Sequence, residues 1–309
     1  MTAFNHTHVA SRELQLSTPG MPASDGDGVK MTRIIGTPQL DMLDPFLLLD
    51  AFGSDKPLDY IGGFPEHPHR GFETITYMKA GRMRHRDHMG NEGVIGAGDV
   101  QWMTAGAGVL HSEMPEQEQG LMHGFQIWLN LPAAEKMEPA AYQEIASASV
   151  GEQLLPKGGE VRVIAGDVRI DDVVQQGQIV NASTQPVFLD TKLLAGESVK
   201  LDFDSSQLAQ VYVYKGNTDS LMTRELGVYA EGDSLVLTAG PSGVELLVLS
   251  GQKINEPIVQ YGPFVMNTAA QIDQAIKDFQ SPHFLENLKP FGVVGSQYFG
   301  LDKIENICK

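Results

Sequence analysis

The sequence predicts an all-β protein made of two copies of one barrel unit, followed by a short helix near the C-terminal end. Three features of the chain predict it. Turn signals recur about every ten residues, apolar runs are mostly short, and one stretch of sequence repeats another.

The turns come first. Ala80-Gly81, Met89-Gly90-Asn91, Gly96-Ala97-Gly98-Asp99, Lys215-Gly216-Asn217 and Glu231-Gly232-Asp233 punctuate the chain in the way that antiparallel sandwiches and barrels require. The repeat is explicit: GVIGAGDVQWMTAG at Gly93 to Gly106 aligns without gaps with GVYAEGDSLVLTAG at Gly227 to Gly240. Between the copies, the stretch from Pro132 to Gly151 is rich in alanine and charge and follows the apolar strand Gly124 to Leu131. A boundary near residue 148 is expected, giving an N-terminal barrel over 1–148 and a C-terminal barrel with a helical tail over 149–309. The helix falls at Ala269 to Phe279, where Ile272, Ala275, Ile276 and Phe279 recur at helical spacing after Asn267-Thr268, a suitable cap.

Composition narrows the function. A chain of 309 residues with 42% hydrophobic content can bury two cores. Its one cysteine, Cys308, rules out an intramolecular disulfide and any four-cysteine metal site. The first twenty residues have no basic stretch leading into an apolar run, and no segment approaches the roughly 20 apolar residues of a membrane span. A soluble, cytoplasmic protein is expected, and a monomer. With 22 Lys and Arg against 39 Asp and Glu, the formal charge of −17 repels phosphate backbones, which argues against direct nucleic-acid binding. Arg82, Arg84 and Arg86 alternate as one solvated strand face would.

The chemistry concentrates in the first copy. His67-Pro68-His69 precedes the strand-like run Gly71 to Met78, so residues 67, 69, 71, 73, 75 and 77 share a face if the pleat is unbroken, with Gly71 keeping space open beside the imidazoles. His111-Ser112-Glu113 repeats the i, i+2 geometry after three turns. A single histidine on an apolar strand is more often a hydrogen-bonded core residue than a ligand. Two such pairs within one barrel point to a metal ion held by His67, His69, His111 and Glu113. Three imidazoles and a carboxylate without thiolate suit Fe(II), Mn(II), Ni(II), Co(II) or Cu(II), with zinc also possible.

Other polar groups are expected around that centre. Glu73 is the rival carboxylate; about 13 Å beyond His69 at ordinary strand rise, it is expected to accept a proton from a ligand imidazole instead. His85 is expected inward beside the site, Gln126 within reach of the cavity, His123 in the core and His88 at an exposed turn. His6-Thr7-His8 has the same spacing at the chain end, where a role is not expected. In the second copy the matching positions are Asp202, Asp204, Glu245 and Leu247, so a histidine site is not expected there.

HPHRGFETITYM (His67 to Met78), GDVQWMTAGAGVLHSEMP (Gly98 to Pro115), HGFQIWLNLP (His123 to Pro132) and NEPIVQYGPFVMNT (Asn255 to Thr268) resemble the signatures of the pirin family. The resemblance spans most of the chain and implies a bicupin fold, two double-stranded β-helix (jelly-roll) barrels. It also implies one divalent ion, Fe(II) foremost, on the residues matching His67, His69, His111 and Glu113. Pirin-like proteins are associated with flavonol (quercetin) 2,3-dioxygenase activity, for which the partners are a small aromatic substrate such as a flavonol and O2. Glu113 is then the candidate catalytic base. The alternative implied function is non-enzymatic: a metal-dependent regulator that binds a protein partner in transcription or central metabolism. The stretch before about Asp27 lies outside the resemblance and carries no expectation.

Overall fold

The computed structural model describes residues 10–179 and 183–281. His6, His8, His283 and Cys308 lie outside the described residues. Among those described, the chain is predominantly β-strand with one α-helix, Ala269–Gln280, and no helix is long and apolar enough to cross a membrane. The helix begins where the sequence places it. Thr268 accepts from the Gln271 amide while the Gln271 side chain reaches back to the Thr268 amide, a reciprocal cap that satisfies two free backbone donors.

The fold divides into two compact units, neither of them a continuous stretch of chain. One unit comprises residues 22–36, 41–148 and the segment from 254 onward. The other comprises 37–40 and 149–253 together with the described residues up to Met21. Leu14–Pro19, which carried no expectation, pairs antiparallel with Glu225–Tyr229 and forms the edge of the sheet in this second unit.

The second unit is filled. Val161, Val163, Leu189, Val211, Val213, Leu246 and Val248 are buried in one continuous aliphatic cluster. Of the three carboxylates at positions matching the first copy's ligands, Asp202 pairs with Lys200 at 3.1 Å and accepts from Ser234, and Glu245 pairs with Lys215 at 2.7 Å. Asp204 is exposed and caps its own turn at Ser206. Each is satisfied locally, as strand-end carboxylates usually are.

The first unit sets two sheets in place. Seven strands are ordered Ala141–Ile145, Val100–Thr104, Phe72–Ala80, Met122–Asn130, Phe46–Ser54, Val29–Ile35 and Met21–Asp25. Four more are ordered Phe64–His69, Val109–Pro115, Met83–Asp87 and Glu92–Ile95. Phe72–Ala80 is buried through Met78, because its two faces carry alternate residues and both are covered: Ile75 and Tyr77 on one side, Thr74, Thr76 and Met78 on the other.

The pleat expected to run unbroken from His67 to Tyr77 is interrupted at Arg70 and Gly71. Gly71 has φ +87°, and an added Cβ would stand 2.1 Å from the Val265 carbonyl oxygen, so only glycine fits. The interruption assigns Phe64–His69 to the smaller sheet and Phe72–Ala80 to the larger. Side-chain alternation therefore does not carry across it. Rather than keeping space open beside the imidazoles, Gly71 admits the backbone of the 264–266 strand.

Candidate metal centre

The smaller sheet builds the centre. His111 pairs directly with His67, and His69 follows two residues on along the same strand. Cross-strand partners share a face, as do residues two apart, so all three imidazoles project to one side. The Nε2 atoms converge: His67 Nε2 lies 3.0 Å from His69 Nε2 and 3.0 Å from His111 Nε2. Among the described residues this is the one group of three or more His, Cys, Asp or Glu whose donor atoms all lie within 4.8 Å of one another.

The protons cannot be arranged to satisfy this cluster by itself. His67 Nδ1 stands 2.8 Å from the Pro65 carbonyl, which can only accept, so Nδ1 carries a proton and the tautomer that results presents its lone pair at Nε2. One lone pair cannot serve two imidazole donors. Burial holds His69 and His111 well below the ordinary histidine pKa and keeps both neutral, while the Pro263 carbonyl acts weakly the other way on His69. His69 Nδ1 is buried without a well-formed hydrogen bond. A cation resolves the conflict. Two nitrogens at about 2.1 Å from one ion and at right angles to each other stand about 3.0 Å apart, against about 3.4 Å at the tetrahedral angle. The residues present thus fit a metal ion bound with positions to spare.

Around the triad, His111 Nδ1 lies 3.0 Å from His85 Nε2, and the Tyr142 hydroxyl reaches the same His85 nitrogen at 3.2 Å. Burial lowers the His85 pKa to about 4, so it too is neutral. Glu113, two residues beyond His111, is 5% exposed and is directed at Thr76, whose Oγ1 lies 2.8 Å from Glu113 Oε1. Its carboxylate is not part of the tight group that the three histidines form. Thr76 Oγ1 is also 2.8 Å from Gln126 Oε1. One hydroxyl proton cannot serve two oxygens, so both contacts are satisfied when the Gln126 amide presents its nitrogen to Thr76 and Thr76 donates to Glu113. Burial pushes the Glu113 carboxyl up, and His67 and the Thr76 hydrogen bond hold it back.

A cavity of about 450 Å³ opens from the triad, within the usual range for small-molecule sites. His67, His69, Glu113 and Gln126 line it, and Met31, Leu48, Phe52, Phe64 and Trp128 supply apolar wall. The Trp128 ring packs edge-on against His69, with centroids 5.3 Å apart.

The expected residues are thus placed as follows. His67, His69, Glu113 and Gln126 line the cavity, with His111 against His67 and His85 against His111. Glu73 does not join them: on the strand Phe72–Ala80 it takes the face opposite Thr76 and accepts from Thr104 Oγ1 at 2.7 Å. The interruption at Gly71 is the reason. His123 packs its ring on Phe125, and His88 is half-buried, accepting from the Leu110 amide.

Residues the sequence reading missed include Thr76, Trp128, Arg33 and Asp50. Asp50 had a signal, a lone charge inside the apolar run Phe46-Leu47-Leu48-Leu49-Asp50-Ala51-Phe52. It is 4% exposed and held by Arg33 in a two-pronged ion pair, Nε to Oδ1 at 2.9 Å and Nη2 to Oδ2 at 2.7 Å. Burial pushes the Asp50 carboxyl up, against the pull of Arg33.

Comparison with known proteins gives a consistent picture. The Pirin family profile matches residues 28–129, and the profile of the Pirin C-terminal cupin domain matches residues 188–285. A pirin-like protein of Caulobacter vibrioides is 44% identical over 268 residues, covering 86% of this chain and 96% of that protein. Human pirin is 39% identical over 286 residues, covering 88% of this chain and 93% of its own length. The crystal structure of a quercetin 2,3-dioxygenase from Acinetobacter baumannii superposes with a TM-score of 0.81 at 36% identity, covering 89% of this chain and 99% of that one.

Proposed function

The chain belongs to the pirin family, and from that premise we propose that it is a metal-dependent dioxygenase of flavonols, of the quercetin 2,3-dioxygenase type. The observation that carries the reading is the convergence of three imidazole nitrogens, with His67 Nε2 3.0 Å from each of the other two, beside a cavity walled by aromatic and aliphatic side chains.

His67, His69 and His111 would hold the ion through Nε2, with Glu113 as the fourth protein ligand. Fe(II) is the expected metal, and Mn, Ni, Co, Cu and Zn are the alternatives. A divalent ion in this position supplies a Lewis acid that lowers the pKa of a flavonol 3-hydroxyl and open positions for substrate and O2. With Nε2 of His111 committed to the ion, its Nδ1 must carry a proton and donate to His85 Nε2, which fixes the tautomer of both rings. Glu113, once it swings off the ion, would accept the 3-hydroxyl proton. Its burial raises its basicity toward the working range of a general base, and Thr76 aims it. Phe52, Phe64 and Trp128 hold the flat substrate and keep bulk water from the reacting ring.

The test is anaerobic reconstitution with each divalent metal, followed by oxygen uptake and carbon monoxide detection with quercetin, for the native protein and His67→Ala. Metal-dependent turnover lost in His67→Ala supports the reading. Metal bound at one equivalent with no turnover moves the function to the regulatory class, for which the second unit, with its continuous aliphatic core, is the proposed docking body.

A further inference from the structure

The cavity has a second polar end. Strand register aligns Arg33 with Asp50, Asp50 with Gln126, Gln126 with Thr76, Thr76 with Gln101 and Gln101 with Glu144. Directly paired residues share a face, so these six side chains form one row across six adjacent strands, on the face that bears the cavity. Along the same face the row is flanked by Leu48 and Trp128 on one side and by Phe52 on the other, all of them cavity wall. A polar row through an apolar floor needs a reason at each position. Thr76 and Gln126 are accounted for by Glu113; Arg33 and Asp50 are not.

A buried ion pair adds little net stability over apolar residues of the same volume, because desolvation cancels most of the attraction. The Arg33–Asp50 pair lines the cavity instead of being sealed from it. Each Asp50 oxygen accepts once from Arg33, leaving lone pairs for a further donor. The Arg33 side chain is 26% exposed; its Nε and Nη2 are engaged by Asp50 and Asp25, and Nη1 is not. One guanidinium facing two carboxylates leaves this end net negative, which disfavours an anionic ligand group. A neutral hydroxyl fits, giving its proton to Asp50 and accepting from Arg33 Nη1; two adjacent hydroxyls fit better.

Strand spacing sets the distance. Asp50 is two strands from Thr76 and Arg33 is three, which at about 4.8 Å per strand is roughly 10 Å and 14 Å across the sheet. We propose that Arg33 and Asp50 form a second recognition site, selecting flat polyphenols that carry a hydroxyl distal to the group presented to the histidines. The proposal rests on the flavonol reading and deepens it: the triad end takes the 3-hydroxyl and neighbouring carbonyl shared by all flavonols, and the Arg33–Asp50 end discriminates among them.

Quercetin and 3-hydroxyflavone share the chelating group, and only quercetin carries distal hydroxyls. Their binding to the Fe(II)-loaded protein under nitrogen is read by quenching of the intrinsic fluorescence of the two tryptophans, of which Trp128 lines the cavity, independently of turnover. The native protein is expected to bind quercetin at least about tenfold more tightly than 3-hydroxyflavone. Asp50→Asn, and the charge-free pair Arg33→Met with Asp50→Leu in case the single change fails to fold, are expected to bring the ratio to within about threefold. Equal affinities in the native protein, or a preference that survives in the folded double variant, would overturn the proposal. Failure of both flavonols to bind would overturn it together with the flavonol reading. Binding with the expected ratio but no oxygen uptake would support this site while removing the dioxygenase activity.

Discussion

The Lys136 ammonium lies 2.7 Å from the Gly71 carbonyl, two residues beyond His69, and joins the turn after the histidine pair to the strand Phe264–Met266. The same nitrogen donates to Asn130 Oδ1 at 2.5 Å and to the Val265 carbonyl at 3.1 Å, with the side chain 1% exposed. Three acceptors from three segments depend on one cation. Lys136→Met leaves them unpaired and is expected to destabilise the protein by about 2–4 kcal/mol at pH 7.5, read by urea unfolding.

The same residue gives a pH dependence. Burial lowers the Lys136 pKa to about 8 from its ordinary 10.5, with Glu256 opposing the shift. Between those values the unfolded chain holds more protons than the folded one, so stability rises with pH and the desolvation cost is fully present only below about 8. The stability difference between the native protein and Lys136→Met is expected to widen by about 2–3 kcal/mol from pH 7.5 to pH 10. A difference that stays constant, or narrows, contradicts it.

Each of His67→Ala, His69→Ala and His111→Ala is expected to lower metal affinity by at least about 100-fold, measured as metal retained after dialysis against a competing chelator. His85→Phe, which removes the acceptor for His111 Nδ1, is expected to cost about tenfold while leaving one equivalent bound at saturating metal.

Thr76 holds the Glu113 pKa down by donating to it. Removing the donor in Thr76→Val lets that pKa rise, so the deprotonated base is lost at a higher pH. The acid limb of the kcat profile is expected to move to higher pH and the rate near neutrality to fall about tenfold, whereas Thr76→Ser keeps the native profile. A metal-loaded Glu113→Gln with undiminished rate would remove Glu113 as the base.

The helix Ala269–Gln280 is tied to the first unit by Arg70, which donates to Asp278 Oδ2 at 2.7 Å, and is capped by Thr268. Thr268→Ala is expected to cost about 1 kcal/mol in urea unfolding, and Thr268→Ser to recover most of it.

By itself the sequence determined what short-range pattern controls. Turn residues required specific backbone angles, spacing at i, i+2 put His67 beside His69 and His111 beside Glu113, and helical periodicity after Asn267-Thr268 located the helix. The repeat set two copies of one unit, and the absence of histidine after His123 other than His283 left the second without an imidazole set. Tertiary structure decided which neighbours those residues meet. Gly71 adopts a left-handed backbone because Val265 lies against it, nearly two hundred residues away in the chain, and that break, not the local alternation, turned Glu73 away and Thr76 toward Glu113. Register across four strands brought Arg33 and Asp50 into line with Gln126 and Thr76. The period of a strand fixes only which of two faces a side chain takes. Its partner is chosen by the ladder and by packing across the sheet, and those energies do not exist until distant segments meet.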